Sequence, residues 1–340
     1  MNKVSIVILN FNGKKFLEQF LPDVVNFSIG EGIKVYVADN ASKDDSVAFL
    51  KNNFPQIGLI ILDQNYGYTG GYNRALRQIE SEYFVLLNSD VEVTQDWLDP
   101  VIDYLDKNAD VAAAMPKIRA YDDKESFEYA GASGGFIDKF GYPFCRGRIL
   151  YNIEKDLGQH DSIIDIFWAS GACFFVRSKA FFDCGEFDED FFAHMEEIDV
   201  CWRLKRMGYR IVIVPESVIY HVGGGTLPIN TPRKMYLNYR NNLYLMFKNL
   251  PGKKLIPYLF ARMCLDGLSA LVYLSKFSFG FFWAVVKAHL HFNCHIRRSL
   301  KKRREQANLI KQENVSCIYP HSMVFNFLVK KKKVFSHFKF

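Results

Sequence analysis

The chain has 340 residues, 49% of them apolar, enough to bury one large core or a core with an appendage. Its seven cysteines are odd in number and contain no Cys-x-x-Cys pair, which argues against a disulfide framework or a structural zinc site and for the reducing cytoplasm. The net charge of +6 is unevenly placed: from Arg297 onward twelve Lys and Arg face two Glu, giving +10 and leaving −4 for the rest.

Residues 3–9 and 34–38 are short apolar runs that lead into polar residues, and they read as buried parallel strands. The first run is too short for a signal peptide. Helical patterns at 14–26 and 43–52, with strands at 57–62 and 83–87 and a helix from near Gln95, make a repeated βα unit and an α/β fold. Ligands of such sheets bind at the carboxyl ends of the strands, which directs attention to Asn10, Asn12, Asp39, Ser42, Asn88 and Asp90. Asp39 reads either as a contact to a base or ribose or as part of a helix cap. Asp90, emerging from a buried strand, suits a hard cation such as Mg²⁺ or Mn²⁺ beside phosphates, or a polar turn.

Residues 121–164 are rich in Gly, aromatic and polar types without a clear period, which suits an acceptor-side insertion. In WASGAC at 168–173 the small residues permit close backbone approach to a ligand, and Trp168 either stacks on that ligand's face or packs inside. The segment DCGEFDEDFFAHMEEIDVCWR at 183–203 packs acids into an aromatic surround, with Glu196, Glu197 and Asp199 in the first turn of a helix. Such a place raises a carboxylate's proton affinity and builds a general base. The alternative is capping, the acids complementing the helix dipole and Asp199 pairing with Arg203. A strand at 210–214 precedes His221, whose neighbours Gly223 to Gly225 allow close approach to a ligand, so His221 is either a nitrogen ligand or structural. Arg240, in YLNYRNNL at 236–243, is either a diphosphate contact or a helix-surface cation.

Six motifs in this order, VILNFN at 7–12, VADNAS at 37–42, NYGYTGGYN at 65–73, LNSD at 87–90, SGACFFVR at 170–177 and the acidic segment, resemble a family 2 glycosyltransferase of the GT-A fold. The resemblance covers residues 3–250 and is to the rhamnosyltransferase-like branch of bacterial polysaccharide biosynthesis. It implies a mostly parallel central sheet, with a nucleotide-binding half at 1–115 and an acceptor and catalytic half at 116–250. It also implies that Asp39 contacts the base, that Asn73 with Gly70 and Gly71 lines the donor pocket with Asn10, Asn12 and Asn88 nearby, that Arg240 touches the diphosphate, and that Asp90 with His221 binds the metal. The family's Glu-Asp pair falls on Glu196-Glu197, so Glu197 stands where the base is usually Asp, and Glu196 is the alternative base. Asn88 departs from the Asp-x-Asp of many metal-dependent transferases.

Residues 251–340 are expected to be a helical, basic appendage. Residues 255–292 are apolar but interrupted by Arg262, Asp266, Lys276 and Lys287, with no uncharged run beyond about ten residues, which is short for a bilayer span. Amphipathic helices in the membrane interface, with Arg297 to Arg304 and Lys330 to Lys333 on anionic headgroups, account for both features; a soluble subdomain with a solvated tail is the alternative. No nucleic-acid module accompanies the basic run. The expectation is an inverting transferase on the cytoplasmic membrane face, moving a sugar from a dTDP- or UDP-sugar to a lipid-linked or growing glycan. The rivals are a sugar nucleotidyltransferase, whose Gly-rich phosphate loop is missing, and a non-catalytic scaffold, favoured only by Glu197.

Overall fold

A computed structural model describes residues 1–223 and 231–340. The first half alternates β1 (Asn2–Asn10), α1 (Lys14–Asn26), β2 (Ile33–Asp39), α2 (Ser46–Asn53), β3 (Gly58–Ile61), α3 (Gly67–Leu76) and β4 (Ser81–Leu87). Then come β5 (Val91–Val93), α4 (Asp99–Lys107), β6 (Val111–Ala120) and four short strands, β7 (Gly135–Asp138), β8 (Pro143–Cys145), β9 (Arg148–Ile149) and β10 (Asn152–Ile153). The chain continues through β11 (Ile164–Asp165), β12 (Cys173–Arg177), α5 (Ser178–Asp183), α6 (Glu196–Arg206) and β13 (Arg210–His221). Helices α7 (Pro232–Asn249), α8 (Gly252–Ser275), α9 (Phe279–Cys294) and α10 (Ile296–Gln306) precede β14 (Ile318–Tyr319) and α11 (Met323–Leu328).

The larger sheet, of nine strands among the described residues, runs β11-β13-β6-β12-β4-β1-β2-β3, with β5 on β13. Strands β4, β1, β2 and β3 are parallel, as are β6 and β13, while β12 is inserted antiparallel between β6 and β4. The central strands are apolar on both faces because helices cover both, as the continuous run Tyr83 to Leu87 shows by being fully buried. Helix α1 turns Leu17, Phe20, Leu21 and Val24 inward, the i, i+3, i+4, i+7 spacing of one helical face.

Three segments differ from their sequence expectation. No helix begins near Gln95: Val91, Glu92 and Val93 pair with His221, Tyr220 and Ile219, and the helix starts only at Asp99, with a proline in its first turn. The strand at 210–214 continues through an irregularity between Val214 and Val218 to His221, which places that imidazole opposite Val91 and next to Asp90. The aperiodic region contains a second sheet, β10-β9-β8-β7-β14, closed by a strand from near the C-terminus. Phe335, Phe338 and Phe340 pack on Phe136 and Phe144 of that sheet, so the final residues return from the C-terminal helices to the second sheet.

Helix α8 is long and apolar enough to cross a membrane by length and composition, so its interrupting charges do not exclude a span as the run lengths suggested. Those charges are buried together: Arg262 Nε donates to Asp266 Oδ1 at 2.7 Å and Nη1 to Asn242 Oδ1 at 2.6 Å, and His289 Nε2 lies 3.2 Å from Asp266 Oδ2. The opposite face leaves Ile256, Phe260, Leu268 and Leu271 exposed. Truncating Asp266 to Ala strands the Arg262 guanidinium in the interior and is expected to cost about 3 kcal/mol in urea unfolding, most of it recovered by the apolar pair Arg262→Met with Asp266→Leu.

Candidate active site

The site assembles where β1, β2 and β4 end. Asn10 is buried and its Nδ2 donates to Asp39 Oδ2 at 3.0 Å and to Ser42 Oγ at 3.1 Å, while Ser42 N donates to Asp39 Oδ1 at 2.8 Å. Asn12, at φ 53°, adds its backbone N–H to Ser42 Oγ and accepts from Lys43 N at 2.7 Å. These bonds brace the two strand ends, and each Asp39 oxygen keeps a second lone pair. Asn40, which the sequence reading passed over, does the same toward α3: its Nδ2 donates to Asn65 Oδ1 and Gly67 O, and its Oδ1 accepts from Tyr66 N.

The glycines of α3 serve packing. A Cβ on Gly71 would sit 2.8 Å from Leu9 Cδ1, and one on Gly70 3.0 Å from Tyr66 Cβ, so both permit close approach of helix to neighbours and neither lines an open pocket. Asn73 is likewise a staple: its Nδ2 donates to Phe187 O at 2.9 Å and its Oδ1 accepts from Phe187 N at 3.1 Å, pinning the acidic segment to α3. Gly70, Gly71 and Asn73, where the resemblance implies a donor pocket, thus pack and brace α3. Trp168 is also interior, 3% exposed, with Nε1 donating to Phe136 O, so it stacks on no sugar.

At the end of β4, Asn88 N donates to Ala172 O, joining LNSD to the turn at 170–172. Asp90 Oδ1 lies 3.3 Å from His221 Nε2, and Glu128 Oε1 lies 3.4 Å from His221 Nδ1, all three buried. Burial alone would expel the imidazole's proton, but the carboxylates of Glu128 and Asp90 outweigh it and raise His221 to about 10. Glu128 lies in the aperiodic region, where no pattern marked it. Among the described residues no three His, Cys, Asp or Glu form a metal cluster. Asp90 offers a carboxylate oxygen suited to Mg²⁺ or Mn²⁺ that takes its other ligands from phosphate and water, and His221 would add a nitrogen only once the metal displaces its proton, with Glu128 orienting the imidazole from behind. Of the glycines beside His221, Gly223 carries φ +73° and approaches Glu128, whereas Gly224 and Gly225 lie outside the described residues.

The turn at 170–172 also meets the acidic helix. Tyr68 Oη donates to Gly171 O at 3.0 Å, and a Cβ on Gly171 would stand 4.0 Å from Glu197 Cδ. Glu196 is buried and Glu197 partly so, and the Oε2 of each has no hydrogen-bond partner among the described residues. Burial raises both carboxyls, Glu197 to about 7 and Glu196 well above the usual carboxylate range, with Glu197 as its next cause. Burial first, then Tyr72 and the two glutamates, pushes up the Tyr68 phenol, which therefore stays a hydrogen-bond donor. Asp199, in the same first turn, is different: it pairs with Arg203 at 2.8 Å and Lys248 at 2.6 Å and accepts from Asn249 at 2.8 Å, so its role is structural.

Phe192, His194 and Met195 enter α6 in the left-handed region, at φ 64°, 70° and 72°. Such strain persists only when neighbours hold it. Arg240 Nη2 donates to Asp190 O and Phe191 O, and Asn241 Nδ2 donates to Phe191 O, Ala193 O and His194 O. Arg240 therefore braces the loop that leads into α6. The basic tail helps: Lys302 pairs with Asp188 and Asp190, and Arg298 with Asp190, so these two cations of α10 face the protein and not a headgroup.

The α/β sheet carries an acid–imidazole pair at the end of β4 and, across one turn, a glutamate pair whose proton affinity burial raises, an arrangement that suits a glycosyltransferase. The family model described as "Glycosyl transferase family 2" matches residues 5–182, and the chain belongs to that family. N-acetylglucosaminyl-diphospho-decaprenol L-rhamnosyltransferase of Mycobacterium tuberculosis is 26% identical over 236 residues, 64% of this chain and 75% of the relative. Rhamnosyltransferase WbbL of Escherichia coli K12 is 24% identical over 226 residues, 64% of this chain and 83% of the relative. The fold is shared with mannosyltransferase PcManGT from Pyrobaculum calidifontis, solved with GDP-Man and Mn²⁺, at TM-score 0.51 and 14% identity over 90% of this chain and 80% of that one.

A glutamate whose proton is held to about 7 in the fold but to about 4.5 in the unfolded chain makes the protein less stable as pH rises between those values. Replacing Glu197 by Gln removes that cost. The variant is expected to be more stable than wild type by about 2 kcal/mol in urea unfolding at pH 8, with the difference mostly gone at pH 5.

Proposed function

We propose that this glycosyltransferase inverts the anomeric centre of a sugar, rhamnose by similarity, as it moves it from a dTDP- or UDP-linked donor to a hydroxyl of a lipid-linked or growing surface glycan. The observation that carries the reading is the placement of Glu197 against Gly171, one residue from the Ala172 carbonyl that holds Asn88. A base and a phosphate-end site thus share one turn. The similarity to a rhamnosyltransferase named for a diphospho-decaprenol acceptor supports the lipid-linked substrate.

In this reading the nucleotide rests at the ends of β1 and β2, with its base toward Asp39 and the braced Asn10 and Asn12. Asp90 Oδ1 and His221 Nε2 would hold Mg²⁺ or Mn²⁺, which supplies charge neutralisation at the leaving diphosphate when bound. Glu197 takes the proton of the acceptor hydroxyl as that oxygen attacks the anomeric carbon from the face opposite the diphosphate, and configuration inverts. Glu196 keeps its proton and so adds no second negative charge beside the base. The exposed apolar faces of α8 and α9, with Arg297, Lys301 and Arg304 outward on α10, support a peripheral position on the cytoplasmic face of the membrane.

Thermal unfolding with UDP, dTDP, GDP and CDP, each with and without Mn²⁺, tests the donor site. One nucleotide is expected to raise the melting temperature only with Mn²⁺, and Asp90→Ala to abolish the shift; no shift with any nucleotide would sink the reading. Because Glu197 must be ionised to accept a proton, the turnover rate is expected to fall about tenfold per pH unit below about 7 and to level above it, as a pH–rate profile reads directly.

A further inference from the structure

A groove of about 870 Å³ lies between the first turn of α7 and α9, lined by Pro232, Arg233, Tyr236, Trp283, Ala284 and Lys287. It narrows at Gly280, where a Cβ would stand 3.1 Å from Pro232 Cγ. Its walls are mostly apolar, and Tyr236 is fixed by a 2.8 Å bond between its hydroxyl and His291 Nδ1. Two cations border it, and neither Arg233 nor Lys287 forms an ion pair among the described residues. Both side chains are exposed, so they present unpaired positive charge to solvent beside an apolar trough. That combination selects an amphiphile with a multiply charged anionic head and a hydrocarbon tail.

The groove also has a direction. On one side the Arg233 guanidinium lies 5.9 Å from the centroid of the Phe192 ring, in the strained loop before α6. The Phe192 carbonyl accepts from Tyr68 N at 2.9 Å, and Tyr68 bonds the Gly171 turn against which Glu197 rests. On the other side Trp283, 54% exposed, continues into the apolar surface of Phe279, Phe277 and Leu290. An amphiphile lying along it would have its head toward the base and its tail on the apolar face.

The geometry points to this groove as the binding site of the lipid-linked acceptor, a polyisoprenyl diphosphate whose diphosphate sits on Arg233 and Lys287 and whose first isoprene units lie on Trp283. This rests on the lipid-linked reading of the acceptor above and assigns it a place. The donor end of the site, at β1, β2 and β4, contributes none of the lining residues, so the two can be tested separately.

Trp283 reports binding, because Trp97, Trp168 and Trp202 are buried. Farnesyl diphosphate added to the full chain is expected to blue-shift and saturate the tryptophan emission, with farnesol and inorganic diphosphate each binding at least about tenfold more weakly. The double variant Arg233→Ala with Lys287→Ala should weaken farnesyl diphosphate at least about tenfold, and Gly280→Phe should block it with both cations in place, while nucleotide stabilisation is unchanged in each. Farnesol binding as tightly as the diphosphate, or an unchanged affinity in the double variant, would overturn the assignment. So would a response only to phosphatidylglycerol vesicles that survives the double variant, which makes the face a bilayer contact alone. Farnesyl diphosphate binding as expected in a chain that no nucleotide stabilises would leave the groove standing and sink the transferase reading instead.

Discussion

Helix α6 is anchored through one buried carboxylate, and the reactive end of the molecule depends on that anchor. Asp199 joins Arg203 on its own helix to Lys248 and Asn249 at the end of α7, and Arg203 reaches on to the carbonyls of Cys184 and Glu186. The acid therefore ties α6 both to α7 and to the segment that leads into it. Glu196 and Glu197 occupy the same helical turn without a cation. One helix start thus carries a satisfied carboxylate that fixes position and an unsatisfied pair whose proton affinity burial raises. Moving a cation from Asp199 to the glutamates would remove both properties.

The loop before α6 shows what that arrangement costs. Three consecutive-region residues with side chains, Phe192, His194 and Met195, adopt backbone angles that favour glycine. The carbonyls of Asp190, Phe191, Ala193 and His194 accept from Arg240 or Asn241, that of Phe192 from α3 amides and that of Met195 from Asp199 N, and Lys302 and Arg298 neutralise Asp188 and Asp190 from outside. The tail that composition marks as a membrane element is thus also a brace of the catalytic loop. Arg297 and Arg304 on α10, with Lys330, Lys331 and Lys333 beyond it, point outward and are left for a headgroup.

Much of the nucleotide half was legible because its signals are local. The apolar period of α1 sets its bounds at Lys14 and Asn26, as read, and the run ending at Leu87 is a central strand that delivers Asn88 and Asp90 to the sheet edge. Sequence position could not tell a ligand from a staple. Asn73 and Arg240 sit in motif positions yet bind backbone 114 and 50 residues away, and nothing local distinguishes such a partner from a substrate. Glu128 reaches His221 from a segment without periodicity, and β14 pairs with β7 across most of the chain, so both contacts depend on tertiary closure. The departure at Glu197 was visible, but the reason that it matters, its seat against Gly171, was not.

The account stands on Glu197 taking the acceptor proton while Glu196 stays neutral beside it. Sugar transfer from a donor that both variants bind, compared in Glu197→Gln and Glu196→Gln at saturating substrate, tests this most directly. The account predicts a loss of about a hundredfold or more in Glu197→Gln and less than about tenfold in Glu196→Gln. Undiminished transfer in Glu197→Gln, or the larger loss falling on Glu196→Gln, would contradict it.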